Sequence, residues 1–124
     1  MKKIFIITSI ILLSACVNLQ FDSMEYDHYV SIAEMADSAV LLCGSPQVIP
    51  EVNRIKEYMD HQYLYSSNRE SRPQVSDASK NLKGIIDGLY ARYQTGTPSK
   101  GYCQEKLRNV SLGSITIVRA LGRL

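Results

Sequence analysis

The sequence predicts an all-α protein, a small four-helix domain that follows an N-terminal export segment. Three observations carry this. Apolar residues recur at spacings of three and four in four separate stretches, the period of a helix face and not of a strand. Clusters of proline, glycine and small polar residues separate those stretches, as turns require. The first fifteen residues differ in kind: Met1, Lys2 and Lys3 make a short positive start, and 4–13 (IFIITSIILL) is almost wholly apolar. A positive start and an apolar run of this length form a secretory signal. A bilayer span needs about 20 apolar residues, so the run is too short for one.

The next residues, Leu13-Ser14-Ala15-Cys16, resemble the lipobox of bacterial lipoproteins: a leucine, two small residues and the cysteine that becomes the lipidated N-terminus. The resemblance implies cleavage before Cys16 and fatty acyl chains (palmitate and its kin) on that residue. On this reading 1–15 is the lipoprotein signal peptide, 16–22 a lipidated tether and 23–124 the helical domain. By similarity to lipoprotein sorting rules, Val17 after Cys16 implies the outer membrane. With Cys16 lipidated, Cys43 and Cys103 remain, and two cysteines in an exported, oxidising compartment pair in one way. The closed loop of about 60 residues would contribute roughly 4 kcal/mol by chain-entropy arithmetic.

The first helix is expected over 23–43. Asp22 or Ser23 can cap it, and acidic residues gather early, as the helix dipole favours. Tyr29, Ile32, Met35, Ala36, Ala39, Val40 and Cys43 share its inner face. Gly44 suits the C′ position, and Ser45-Pro46 ends the helix. The second helix is expected to begin at Pro50, with Val52, Ile55, Met59 and Tyr63 inward. It should fray into a polar loop at 66–74 (SSNRESRPQ). The third begins near Ser76 or Asp77 and buries Ala78, Leu82, Ile85, Ile86, Leu89, Tyr90 and Tyr93. Gly84 and Gly88 each weaken it by about 1 kcal/mol relative to alanine, and their spacing would let a neighbouring helix approach closely. After turn chemistry at 94–101 (QTGTPSKG), the fourth opens with Thr97 as cap and Pro98 at its first position. Its seam is Cys103, Leu107, Val110, Ser114, Ile117 and Leu121. The β-branched 115–118 (ITIV) makes a late strand the competing reading, but the three-four spacing runs through it and predicts helix. Cys43 near one helix end and Cys103 near another helix start fit a compact four-helix arrangement.

Charge narrows the function classes. Loss of Lys2 and Lys3 would leave 12 basic against 12 acidic residues. Residues 17–37 hold Asp22, Glu25, Asp27, Glu34 and Asp37 with no Lys or Arg, whereas 69–124 hold ten basic and four acidic side chains. No run of like charge is dense enough for a nucleic-acid binder, so the acidic segment is expected to lie against the basic one.

No active site emerges, and the sequence reads as a non-enzyme without cofactor, metal or small-molecule substrate. His28 and His61 each follow an aspartate, and adjacent helix positions cannot chelate one metal. Both are expected to be solvated surface residues. No cysteine is spare for a zinc site, no Gly-x-Ser-x-Gly elbow exists, and Glu34 with Asp37 is an ordinary pair of surface carboxylates. The eight tyrosines say more. Tyr58 and Tyr65 fall off the inward stripe of the second helix, beside Arg54 and His61. Tyrosine with arginine on a partly exposed face is the composition of a protein-binding surface. Arg54, Tyr58 and Tyr65 are the candidate partner-binding residues on that reading; the blander reading, which the sequence favours, rests both rings on neighbouring loops with their phenols in water.

The segments 39–44 (AVLLCG) and 89–110 (LYARYQTGTPSKGYCQEKLRNV) resemble the helical pilotins of type II secretion systems. Shared features are a Leu-Tyr helix end, a Thr-Pro turn and a cysteine opening the last helix. The resemblance implies a chaperone that binds a helical C-terminal segment of secretin subunits and carries them to the outer membrane, facing the periplasm. That is helix-in-groove recognition and needs no catalytic residue. The other readings are a phage- or plasmid-encoded exclusion lipoprotein that blocks a receptor or channel, and an inhibitor of a periplasmic enzyme that inserts the 66–74 loop into a cleft.

Overall fold

The computed structural model describes residues 22–68 and 73–123. The signal segment, Cys16 and most of the tether lie outside the described residues. Four helices make up the domain: α1 (Ser23–Val40), α2 (Val48–Ser67), α3 (Pro73–Thr95) and α4 (Lys100–Leu121). The all-α class and the four-helix count are as expected, and no strand forms among the described residues.

Local chemistry sets each boundary. Asp22 caps α1, its Oδ1 accepting the Met24 and Glu25 amides at 3.0 and 3.1 Å. The helix stops at Val40 and not at Cys43, because the chain tightens there. The amides of Leu42 and Cys43 bond back three residues, to Ala39 and Val40, as happens when a last turn winds into a 3₁₀ geometry. Gly44 follows at φ +90°, a conformation other residues rarely adopt. α2 begins at Val48, two residues before the expected Pro50. A proline there costs nothing, since first-turn amides have no partner within the helix. α3 begins at Pro73 and not at Ser76 or Asp77. The proline read as a loop residue thus opens the helix, where its fixed φ is already helical. In α4 the cap is Ser99, whose Oγ accepts the Tyr102 amide at 3.2 Å, and not Thr97. The β-branched ITIV run continues that helix, since Ile117 and Leu121 are buried along the predicted seam.

The helices form a ring of antiparallel neighbours, with α1 most extensively on α4 and α2 on α3. The Cys43–Cys103 disulfide joins the end of α1 to the start of α4, with α-carbons 5.8 Å apart. The core runs the length of the bundle through Tyr29, Ile32, Val52, Ile55, Met59, Ile86, Leu89 and Leu107, all fully buried. Two expected stripes shift slightly. In α2 the buried positions beyond Met59 are Gln62 and Ser66, with Tyr63 only half-buried. In α3 Ser79 is buried, while Ala78, Ile85, Tyr90 and Tyr93 are half-buried.

The glycines behave differently from expectation. Gly84 and Gly88 are exposed, and nothing lies within 4 Å of a Cβ at either position. The close approach is instead at Gly113 of α4, where a Cβ would collide with the side chain of Leu82 on α3. Gly84→Ala and Gly88→Ala are therefore expected to stabilise the domain by up to about 1 kcal/mol each through helix propensity. Gly113→Ala gains the same propensity but meets Leu82, and overpacking of about 1–3 kcal/mol should leave it neutral to destabilising by about 2 kcal/mol. Thermal melts of the three variants check this, and all three shifting the same way would contradict it.

A square of alternating charges links α2 to α3. Lys56 Nζ lies 2.7 Å from Asp60 Oδ2 and 3.5 Å from Asp87 Oδ1, and Lys83 Nζ lies 3.3 Å from Asp60 Oδ1 and 2.5 Å from Asp87 Oδ2. Burial pushes the Asp60 carboxyl up, but hydrogen bonds from Lys56 and Lys83 outweigh it and hold the carboxyl below its usual range. The hydrogen bond to Asp60 raises Lys56, and that to Asp87 raises Lys83. These side chains are a quarter to a third exposed, so each pair contributes about 0.5–1 kcal/mol at most. A carboxyl depressed on folding stabilises above its unfolded pKa of about 4 and loses that stability as pH falls through the lower folded value. An ammonium raised on folding stabilises below about 10.4 and loses that as pH climbs through its folded value. The stability gap between wild type and Asp60→Asn should thus be flat from about pH 5.5 to 9.5 and close on both sides. Denaturant titrations across pH measure it, and a gap that widened in acid would refute the assignment.

Candidate functional site

The end of the bundle away from the disulfide brings the start of α1 against the end of α2. There the outer stripe of α2 runs Arg54, Tyr58, His61, Tyr65 in steps of four, three and four, which align on one helix face. Across from it stands His28 of α1, edge-on to Tyr58 (centroids 5.7 Å apart) and to Tyr65 (6.3 Å). His28, Tyr58, His61, Gln62 and Tyr65 enclose a cleft of about 340 Å³ whose surface is predominantly apolar.

Beneath the aromatic layer lies a buried polar chain. His28 Nδ1 is 2.6 Å from Gln62 Oε1, Gln62 Nε2 donates to Ser66 Oγ at 3.2 Å, and Ser66 Oγ donates to Glu25 Oε1 at 3.2 Å. The donors fix the rest. An amide oxygen can only accept, so His28 carries its proton on Nδ1 and keeps Nε2 as the ring's acceptor when neutral. Ser66 has a single hydroxyl proton, directed at Glu25, so the Tyr29 hydroxyl donates to Ser66, at 2.8 Å. Glu25, Tyr29, Gln62 and Ser66 are at most 1% exposed. Burial raises the Tyr29 phenol above its ordinary value, and the hydrogen bond with Ser66 is the largest influence opposing it. Tyr29 is therefore a neutral donor at any physiological pH. At the rim, Tyr65 Oη donates to Asp22 Oδ2, joining the end of α2 to the residue that caps α1.

This geometry locates the candidate residues. Tyr58 and Tyr65 both line the cleft. Arg54 does not. Its side chain is 63% exposed, with the guanidinium 4.0 Å from Glu51. Cys43 and Cys103 are bonded to each other, and Cys16 lies outside the described residues. The expectation of two solvated histidines holds for His61 but not for His28, which is half-buried and hydrogen-bonded. Glu25, Gln62 and Ser66 were missed. A signal existed: Glu25 precedes Tyr29 by four, and Gln62 and Ser66 follow Met59 by three and seven, so each continues a buried stripe. Among the described residues no group of three or more His, Cys, Asp or Glu converges as a metal site would. No described helix is long and apolar enough to cross a membrane.

Comparison of the chain with protein-family models, with curated proteins and with solved structures gives no match in any of the three.

Ser66 is the hub, taking two donors and giving one. Ser66→Ala leaves Gln62 Nε2, the Tyr29 hydroxyl and Glu25 Oε1 each short of a bond in a buried setting. It should cost about 2–4 kcal/mol, since each unsatisfied group carries a desolvation penalty of about 1–3 kcal/mol. Tyr65→Phe removes the rim bond to Asp22 and should cost about 1 kcal/mol. Equal melting shifts for the two variants would contradict the hub.

Proposed function

We propose that this protein is a lipid-anchored adaptor of the outer membrane, facing the periplasm, that binds a helical segment of a channel subunit in the manner of a pilotin with a secretin C-terminal helix. The observation that carries the reading is the α1–α2 cleft, with tyrosines on its walls and a fixed polar floor. A cavity of about 340 Å³ is too small for a helix but suits one or two apolar side chains projecting from it. Binding of this kind concentrates its energy in a few anchor residues seated in a preformed pocket. Aromatic walls suit the task, because tyrosine offers a large, stiff apolar surface with little entropy to lose. The amphipathic partner would lie across the ends of α1 and α2 and place its anchor between Tyr58 and Tyr65. The lipobox at 13–16 (LSAC) supports the anchor, and the bridged four-helix form agrees with what the pilotin resemblance implies. The protein's task is then placement, without catalysis. Lipid determines where it sits, and the cleft determines what it holds.

Titrating the soluble Cys16→Ser protein with secretin C-terminal peptides should give saturable binding at micromolar concentration, weakened tenfold or more by Tyr58→Ala. In cells, Cys16→Ser should release the protein from membranes. Absence of binding at high micromolar peptide, together with normal secretin assembly in a deletion strain, would overturn the partner assignment. Persistence of the variant in the membrane fraction would overturn the anchor.

A further inference from the structure

A second face of the molecule is as structured as the cleft and is not used by it. The groove between α1 and α4, about 180 Å³, is floored by Ala33, Ser111 and Val118. Beside that floor each helix presents an outer stripe. On α1 it runs Asp27, Val30, Glu34, Asp37 and, just past the helix, Leu41, in steps of three and four. On α4 it runs Arg108, Leu112, Ile115, Arg119, in steps of four, three and four. Leu41 is 86% exposed and Leu112 64%. All five charged side chains on these stripes are exposed, and none has an ion-pair partner among the described residues. The α1 stripe carries three carboxylates with Val30 among them and Leu41 at its end, and the α4 stripe carries two arginines about an apolar middle.

We propose that this face binds a second copy of the chain, in a parallel two-fold dimer that sets α1 of each copy on α4 of the other. Charge selects this arrangement. Two copies meeting through the α1–α4 face can be related by a two-fold axis in the interface, either across the helices or along them. The axis across the helices sets α1 upon α1 and α4 upon α4, acid on acid and base on base. The axis along the helices sets α1 of one copy over α4 of its partner. The register then matches. Cys43 is bonded to Cys103, and the Tyr26 ring lies 3.6 Å from where a Cβ on Gly122 would stand, so the two helices share heights at both ends. At equal height Arg119 falls near Asp27 of the partner subunit, Arg108 near Asp37 of the partner subunit, and Ile115 near Val30 of the partner subunit. The same axis brings both Asp22 residues, and so both N-terminal tethers, to one end of the dimer.

The size of the face sets the strength. An 18-residue helix is about 27 Å long, and a surface two helices wide offers roughly 500 Å² per copy. That lies at the low end for specific association. The dimer is therefore weak, concentration-dependent and sensitive to salt, with its four ion pairs contributing specificity more than affinity.

Sedimentation equilibrium of the Cys16→Ser chain tests this. The wild-type surface should dimerise reversibly, with affinity reduced about tenfold or more between low and high salt. R108E/R119E makes both stripes acidic, and D27R/D37R makes both basic, so each variant alone should be monomeric. Mixed in equal amounts, the two should form a one-to-one heterodimer, because all four pairs are then restored, two with their native signs and two reversed. That recovery also shows that both variants are folded. A monomeric wild type at millimolar concentration, or a dimer that both double variants retain, would overturn the proposal, as would failure of two folded variants to recombine. The cleft plays no part, so Tyr58→Ala should leave self-association unchanged, and the two sites fail or stand separately.

Discussion

The bond between Cys43 and Cys103 ties the end of the first helix to the start of the last, and the bundle takes its register from it. A chain of four helices joined by short turns can close into a ring in more than one order. Fixing the two ends of the path at one pole leaves α2 and α3 to travel out and back between them. The turn at 41–47 and the connection before Ser99 are both held at that pole, with the left-handed Gly44 packed on the aliphatic stem of Lys100. At the opposite pole there is no covalent tie between α1 and α2, and hydrogen bonds from Tyr65 to Asp22 and from Tyr29 to Ser66 hold the helices instead. The cleft sits at this noncovalent pole.

How much of this was legible in the sequence depends on which force set each feature. The helix faces were readable because burial has a period. Ile32, Ala36, Ile55, Met59 and the whole α4 seam fall where spacing placed them. The bridge was readable from cysteine arithmetic. Boundaries were less so, because a cap is a contest among neighbours that spacing does not decide. Thr97 and Ser99 both suit the position, and Ser99 prevails because its hydroxyl reaches the Tyr102 amide. The glycines misled for a similar reason. A four-residue spacing says that two glycines share a face, but not which face. Gly84 and Gly88 face solvent, whereas the lone Gly113 meets Leu82.

The cleft was half legible. Off-stripe tyrosines marked the wall, since an aromatic that leaves the core face must rest on something else. Its floor was hidden, because the same stripe logic that finds a core treats polar residues as outward. Glu25, Gln62 and Ser66 occupy core positions and survive there because each bonds to another. A buried carboxylate is tolerable when hydrogen bonds replace the water it lost, and intolerable otherwise. Such a cluster specifies one packing of α1 on α2, since sliding either helix by one turn would break every bond together. The aromatic walls are thereby held in place before any partner arrives, which lowers the entropy cost of binding.

The unpaired charges follow from the same antiparallel packing. An acidic first helix and a basic last helix lie side by side, and attraction between them would suggest ion pairs across their seam. The seam itself is occupied by Ala36, Ala39, Val110 and Ile117, which bring the helices together through apolar contact. The charged stripes flank the groove, with Glu34 and Asp37 on its wall and Arg108 and Arg119 exposed on the α4 side. Neutralising them within one molecule would require long side chains to fold over an apolar furrow and forgo hydration for a surface pair worth under about 1 kcal/mol. A second surface of opposite sign, arriving from outside, covers the furrow and pairs the charges in one step. The apolar area that makes the internal pairing unprofitable is the same area that makes the external one favourable.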